Sequence, residues 1–361
     1  MKPGWHKYIA NLERDVEAPE VIEDIFELIY KTVQDQRLAT GKIPATVTVP
    51  VLFSPLQRSI IENAAMKAGF DVRHVVAESF AGLFSQQQLF TAEKRDEVIL
   101  IFDFGGATLD ISLVELHNAG TDDITVRELS SIGLQLGGID IDEIILQDIL
   151  DKKYPQELAA YRQSHATADS AEAELLAVAC RIKENLFGED TEETSDYLTD
   201  KQGHSFEIQV TQDEVIRAFD ANHLREKVER VLDDLFLGQD ELSRKDVTLV
   251  LPFGGSSRIM YFLQILSDYM GTNDDDEPIF DLDDFDPDDN ENIYLAISEG
   301  AAAYTYFLAS RQDIEIDQMI PFRVGIARKG HFLQLLPKGD PALSISIKQN
   351  LDLAMSPFFS N

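Results

Sequence analysis

Across residues 18–35, apolar side chains recur at Val21, Ile22, Ile25, Phe26, Leu28, Ile29 and Val33. That is the spacing of a helix with one apolar face. Gly41 and Pro44 end the pattern, and the β-branched run of residues 45–51 predicts a strand. Ser54-Pro55-Leu56-Gln57 predicts a helix start, with Ser54 as N-cap, Pro55 in the first turn and Gln57 capping back. A short helix is predicted near Glu78. Three strands in succession are predicted over 98–104, 108–116 and 124–129, the first two joined by Gly105-Gly106-Ala107. Helices are predicted from about Asp140 and over 171–186. A β segment over 206–210 leads to one long helix capped by Thr211, carrying Val215, Phe219, Leu224, Val228 and Leu232. The strand expected over 247–251 runs into Gly254-Gly255-Ser256, with a helix from Arg258 onward. A closing helix holds Glu299-Gly300-Ala301-Ala302-Ala303, and three strand-like pieces follow at 322–326, 332–336 and 343–347. Strands and helices that alternate, interrupted by hairpins, predict an α/β fold with antiparallel edges, split into lobes.

Charge narrows the range of partners. The 361 residues include 65 acidic and 31 basic side chains, a formal charge of -34. Such a field repels phosphate backbones, so no nucleic-acid partner is expected. A mononucleotide remains compatible, because backbone amides and a metal can hold phosphate inside an acidic protein. Cys180 is the one cysteine, which rules out an intrachain disulfide and suits a reducing compartment. The first residues carry no apolar leader core. The longest apolar stretches, 98–102 and 301–308, fall short of the roughly 20 residues that cross a bilayer. A cytoplasmic protein without a membrane partner is expected. Ten of the sixteen residues from Asp274 to Asp289 are acidic, but the glycine and glutamate of a calcium-binding EF-hand loop are missing at their offsets. This stretch reads as a solvated acidic loop. The seven histidines show no metal-ligand spacing.

Chemistry concentrates in three glycine turns. In Ile101-Phe102-Asp103-Phe104-Gly105-Gly106-Ala107-Thr108-Leu109-Asp110, a strand turns on two glycines and returns. Glycines there let backbone amides point at a phosphate. Asp103 and Asp110 flank the turn, as carboxylates for a hydrated Mg²⁺ would. A plain hairpin has the same pattern. In Leu251-Pro252-Phe253-Gly254-Gly255-Ser256-Ser257-Arg258 the turn precedes a helix, whose N-terminal amides and dipole favour an anion. Arg258 either stacks on a base or ties the loop down, and a plain strand-to-helix connection reads alike. Gly137-Gly138 opens a further helix. Each of the three turns stands at a strand end or helix start, and together they converge on one phosphate-bearing ligand.

The order of these motifs resembles the heat-shock protein 70 (DnaK-like) chaperone family of the actin-like ATPase superfamily. Thr46-Val47-Thr48-Val49-Pro50 with Gln57-Arg58 is similar to the strand and helix before that family's catalytic glutamate, and Ala77-Glu78-Ser79-Phe80-Ala81-Gly82 to the glutamate segment itself. The Asp103–Asp110 hairpin resembles its second phosphate loop, Gly137-Gly138 the following glycine pair, Gly254 to Arg258 its adenosine loop and Gly300-Ala301-Ala302 its closing helix. The likeness covers roughly residues 20–310. It implies actin-like ATPase (ribonuclease H-like) lobes. Residues 1–310 would form a partial nucleotide-binding domain with an incomplete first lobe, and 311–361 a linker and short β-rich start of a truncated substrate-binding segment. Ile320 to Ile326 and Leu336 to Gly339 resemble that start, with Ile314-Glu315-Ile316-Asp317 in the linker's place.

By the same resemblance the chain binds ATP or ADP with Mg²⁺ and couples it to protein folding, with co-chaperones and unfolded clients as partners. Glu78 would position the attacking water, Asp103 and Asp110 hold Mg²⁺ through its waters, and Thr108 lie near the terminal phosphate. Gly105 and Gly106 form the phosphate loop, and Gly137 and Gly138 touch phosphate or sugar. Lys183, Gly254, Gly255, Ser256 and Arg258 frame the adenosine. The family's first phosphate loop, a strand, a Gly-Thr turn and a strand, is not found in residues 1–44, and Lys2 and Lys7 are weak stand-ins for its catalytic lysine. Ala107 replaces a glycine, Ser79 a proline, Ile139 an acidic residue and Cys180 a glutamate that contacts ribose. Cys180 reads as a buried structural cysteine. Impaired hydrolysis is therefore expected. The alternatives are a non-catalytic interaction protein on this fold, a sugar kinase and an actin-like filament protein.

Overall fold

The structure is a computed structural model and describes residues 6–9, 14–36, 41–91, 95–119, 121, 124–188, 191–237, 242–283, 285, 292–310, 315–317, 324–328 and 331–336. The strand-like piece expected at 343–347, the turn at Pro337-Lys338-Gly339, Ile314 of the linker, Lys2 and the acidic residues Asp284, Asp286, Asp288 and Asp289 lie outside the described residues.

The chain opens with an antiparallel hairpin that apolar spacing does not predict, β1 (His6–Ile9) and β2 (Arg14–Glu17), with His6 opposite Glu17. Helix α1 (Ala18–Asp35) follows, its first turn carrying a proline and the Glu17 amide donating to the Glu20 carboxylate over 3.3 Å. Strand β3 (Ile43–Val49) leads to α2 (Pro55–Ala68), whose start forms as expected: the Ser54 amide donates to Gln57 Oε1 over 2.9 Å, and the Gln57 amide returns to Ser54 Oγ over 3.3 Å. Strand β4 (Phe70–Ala77), absent from the periodicity, lies parallel to β3. The short helices α3 (Glu78–Leu83) and α4 (Gln87–Thr91) precede β5 (Arg95–Phe104), β6 (Leu109–Ala119) and β7 (Thr125–Leu134).

Helix α5 (Gly138–Ile144) passes through a π-helical turn, Ile145–Leu150, into α6 (Asp151–Lys153). Helices α7 (Pro155–Ser164) and α8 (Ala168–Gly188) come next, then an antiparallel hairpin of β8 (Glu193–Thr199) and β9 (Ser205–Thr211). Thr211 caps the next helix, its Oγ1 accepting from the Glu214 amide over 3.2 Å. The single long helix expected there is two, α9 (Gln212–Ala221) and α10 (Leu224–Phe236). His223 between them is left-handed, with φ 56°, and Asn222 Nδ2 donates to Ala218 O over 2.9 Å, which ends α9. Strand β10 (Leu249–Phe253) follows, then a 3-10 turn over Gly255–Arg258 that delays α11 to Met260–Met270. Asp274 to Glu277 are exposed, as a solvated loop requires. The closing helix is α12 (Asn292–Ser310), followed by β11 (Glu315–Asp317) and the hairpin of β12 (Val324–Arg328) and β13 (His331–Leu336).

The described residues fall into two compact units: one drawn from 1–96, 115–129 and 295–361, the other from 97–114 and 130–294. In the second, Ile99 to Phe102 are all buried. Successive strand residues face opposite ways, so this sheet is covered on both faces. β10 runs parallel to β5, from Leu249 opposite Ile99 to Phe253 opposite Asp103. In α11, Phe262 meets Phe104 edge-on at 4.6 Å between ring centroids. In the first unit, Phe80, Phe84 and Phe90 pack with Tyr304 and Phe307, Phe84 standing 5.5 Å from Phe80 and 4.9 Å from Tyr304. There too β11 lies parallel to β7, with Ile316 opposite Val126. Among the described residues, no helix is long and apolar enough to cross a membrane.

Candidate functional site

β5 delivers Asp103 to its end and β6 returns with Asp110, so the chain between them must reverse within a few residues. The Gly105 amide closes that turn by donating to Thr108 O over 2.9 Å. Asp103 and Asp110 are 5% and 1% exposed, and Thr108 Oγ1 donates to Asp110 Oδ2 over 2.7 Å. Gly106 at the tip has no atom among the described residues within 4 Å of where a Cβ would stand.

The second glycine turn is fastened to the first by its backbone. The Gly138 amide donates to Gly105 O over 3.1 Å and the Ile139 amide to Gly106 O over 2.8 Å. A Cβ on Gly137 would run into the backbone of Gly106 and Ala107, so only glycine allows this approach. The Gly137 amide in turn donates to Asp140 Oδ2 over 2.7 Å, fixing the start of α5. The third turn joins them through Ser256 Oγ, which donates to Gly105 O over 2.9 Å. Gly254 is left-handed, φ 83°, and a Cβ there would meet the Phe104 carbonyl and stand 2.8 Å from Asp103 Oδ1. The carbonyl of Gly105 thus accepts from two loops at once, using both lone pairs.

Lys183 reaches the same place from α8. Its Nζ donates to Gly138 O over 2.8 Å and stands 2.7 Å from Asp142 Oδ1, a contact with the length but not the angles of a hydrogen bond. Burial pushes the Asp142 carboxyl up from its ordinary range, against the pull of Lys183. Sequence reasoning passed over Asp142, although its spacing of four from Gly138 sets both on one face of α5. Cys180, expected to be buried, is half-buried because it lies one residue beyond the inward-facing Val178 and Ala179. Its Sγ lies 3.5 Å from Glu184 Oε1, and burial, then the Asp142 charge, push the thiol up. A thiol held protonated is a poor nucleophile.

Arg258 ties loops together: Nη2 donates to Gly188 O over 3.1 Å and Nη1 to Tyr294 Oη over 3.0 Å. Glu78 belongs to the first unit, half-buried at the start of α3 where β4 ends. There Gly300 of α12 presses on α3 so closely that a Cβ would collide with Ala81 O. Among the described residues, no group of three or more His, Cys, Asp or Glu is arranged to hold a metal ion. Asp103 and Asp110 offer hard oxygen donors on either side of the open Gly106 tip, a set that suits Mg²⁺ retaining several waters and resting on phosphate.

Residues 8–347 match the sequence profile of a family described as Hsp70 protein. The chain belongs to the Hsp70 family. Its mixed helices and sheets are those of the family's actin-like ATPase fold. Similar proteins include the chaperone protein DnaK of Thermoplasma volcanium, 28% identical over 63% of this chain and 36% of that protein. The chaperone protein DnaK of Metamycoplasma hominis is 27% identical over 89% of this chain and 50% of its own length. The chaperone protein DnaK of Trichormus variabilis is 26% identical over 88% and 43%. The chain thus spans half or less of the length of these curated relatives. Within this Hsp70-family chain, the second unit brings together Asp103, Gly105, Gly106, Thr108, Asp110, Gly137, Gly138, Lys183, Gly254 and Ser256. Gly255 and Arg258 adjoin them through the same loop and meet Tyr294, a residue that motif reading did not single out.

Proposed function

We propose that this Hsp70-family chain holds an adenine nucleotide with Mg²⁺ on the glycine turns of its second unit and serves as a chaperone nucleotide-binding domain with impaired hydrolysis. The observation that carries the proposal is the convergence of three turns on the Gly105 carbonyl, with the Gly106 tip left open. In this reading Gly105 shapes the turn, the Gly106 amide and the Thr108 hydroxyl face the phosphates, and Gly137 and Gly138 lie beside phosphate or sugar. Asp103 and Asp110 orient the waters of Mg²⁺. When bound, Mg²⁺ neutralises charge on the phosphate oxygens. Lys183, Gly254, Gly255, Ser256 and Arg258 frame the adenosine, and Glu78 orients a water. Hydrolysis by this superfamily's means rests on positioning and charge, so half a phosphate clamp costs turnover more than binding.

The same reading takes residues 1–310 as the nucleotide-binding part and 311–361 as linker and β-rich segment. It puts the chain in the cytoplasm, with co-chaperones and unfolded proteins as partners. Calorimetric titration with Mg-ADP and Mg-ATP, beside single-turnover hydrolysis, tests it. Binding weakened tenfold or more in Asp103→Asn supports the site, and equal affinity in that variant rejects it. Rapid turnover by the wild-type chain rejects the impairment. A non-catalytic interaction protein is the second reading, favoured by the exposed Ile139 in an acidic residue's place. Chaperone function unaffected by Asp103→Asn would select it.

A further inference from the structure

We infer that Tyr294 is a built-in occupant of the base-stacking place beside Arg258, so that an adenine nucleotide must displace its ring to bind. This rests on the nucleotide reading above.

Three contacts carry it. The Arg258 guanidinium carbon lies 5.7 Å from the centre of the Tyr294 ring, over its face, and Nη1 also donates to Tyr294 Oη over 3.0 Å. The flat cation that would stack on a base already lies over a side chain of the same protein. Gly255 is the second contact: a Cβ on it would stand 2.8 Å from Tyr294 Cε1. Glycine in a ligand loop leaves room for close approach, and here the room is filled by the tyrosine ring. The third is the Gly254 amide, which donates to Ile293 O over 3.3 Å. The first turn of α12 therefore clasps the loop on which the adenosine would rest.

The ring is nonetheless 59% exposed. It is not core, and apolar burial does not explain its position. Arg258 and the bare backbone of Gly255 hold it, and both are contacts a nucleotide base can replace. Tyr294 acts as a cover that sets affinity for the base and leaves the phosphate end alone.

The test measures adenosine, ADP and inorganic pyrophosphate binding to the full chain, wild type and Tyr294→Ala. Tyr294→Ala is expected to tighten adenosine and ADP about tenfold, a difference of about 1.4 kcal/mol, with pyrophosphate unchanged. Tyr294→Phe keeps the ring and stays within about threefold of wild type, on the scale of one exposed hydrogen bond. Tyr294→Ser repeats the measurement if alanine unsettles α12. ADP affinity unchanged or weakened in Tyr294→Ala, with wild type binding ADP, overturns the inference and leaves the nucleotide site standing. Absence of ADP and pyrophosphate binding in both proteins overturns the nucleotide reading and this inference with it.

Discussion

In the second unit, three loops meet on main-chain carbonyls: the amides of Gly138 and Ile139 and the hydroxyl of Ser256 all donate to the Gly105-Gly106 turn. In the first unit, Glu78 rides on a helix of six residues, and side-chain volume keeps that helix in place, with Phe80, Phe84 and Tyr304 behind it and Gly300 pressed on its backbone. A backbone-fastened site tolerates changes of side-chain chemistry but no added Cβ at its crossings. A packing-held helix tolerates polar changes on its surface but not lost volume. The first unit also leaves apolar surface uncovered on α1, where Ile25 is 52% and Leu28 67% exposed. The acidic, polar-framed turns of the second unit carry their chemistry inward.

The contrast is broken most strongly from the packing side. Phe80→Ala removes a ring that is 1% exposed and should destabilise the chain by about 4 kcal/mol in urea unfolding. Nucleotide affinity of the fraction still folded should change little. Gly137→Ala comes next. Its new Cβ meets backbone at Gly106 and Ala107, and overpacking of this kind costs about 2 kcal/mol. Unlike Phe80→Ala, it should also weaken ADP binding in calorimetry, because the two turns must part. Ser256→Ala should cost about 1 kcal/mol, since Gly105 O keeps the Gly138 amide. A loss near 3 kcal/mol would mean that the hydroxyl, and not the main chain, fastens the turns.

The smallest effect lies away from both sites and appears only in acid. Lys201 foremost, with Tyr161 and His165, holds the Glu174 carboxyl down to about 2. A depressed carboxylate stabilises the fold above its ordinary range near 4.5, and that contribution is lost as pH falls towards 2. Melting temperatures of wild type and Glu174→Gln should differ modestly at neutral pH and converge near pH 2, with ADP affinity the same in both. Parallel curves across that range would reject the role given to Glu174.

Sequence carried the three glycine turns because each combines a strand end with residues whose backbone freedom has few other uses. It carried the α2 start because Ser54, Pro55 and Gln57 satisfy the first-turn amides locally. It did not carry β4, where Asp71, Arg73 and His74 interleave with the apolar residues and parallel pairing with β3 supplies the strand. The α9–α10 break was hidden for a related reason. Apolar spacing from Val215 through Phe219 to Val228 runs unbroken across it, and the residue that turns left-handed is His223, with neither glycine nor proline to mark the place. Hairpin β1–β2 is short and polar on its second strand, so cross-strand pairing makes it. Tyr294 escaped because its meaning depends on Arg258, thirty-six positions earlier, and no spacing rule reaches that far.

The parallel seating of Glu315–Asp317 on β7 sets how force enters the molecule. A pull on the chain beyond Asp317, directed along the strand, loads its pairing with β7 in shear. All three residue pairs then resist together and do not peel one at a time. A forward pull on β11 drags its parallel neighbour in the same direction, so the load passes back towards the start of β7 at Thr125.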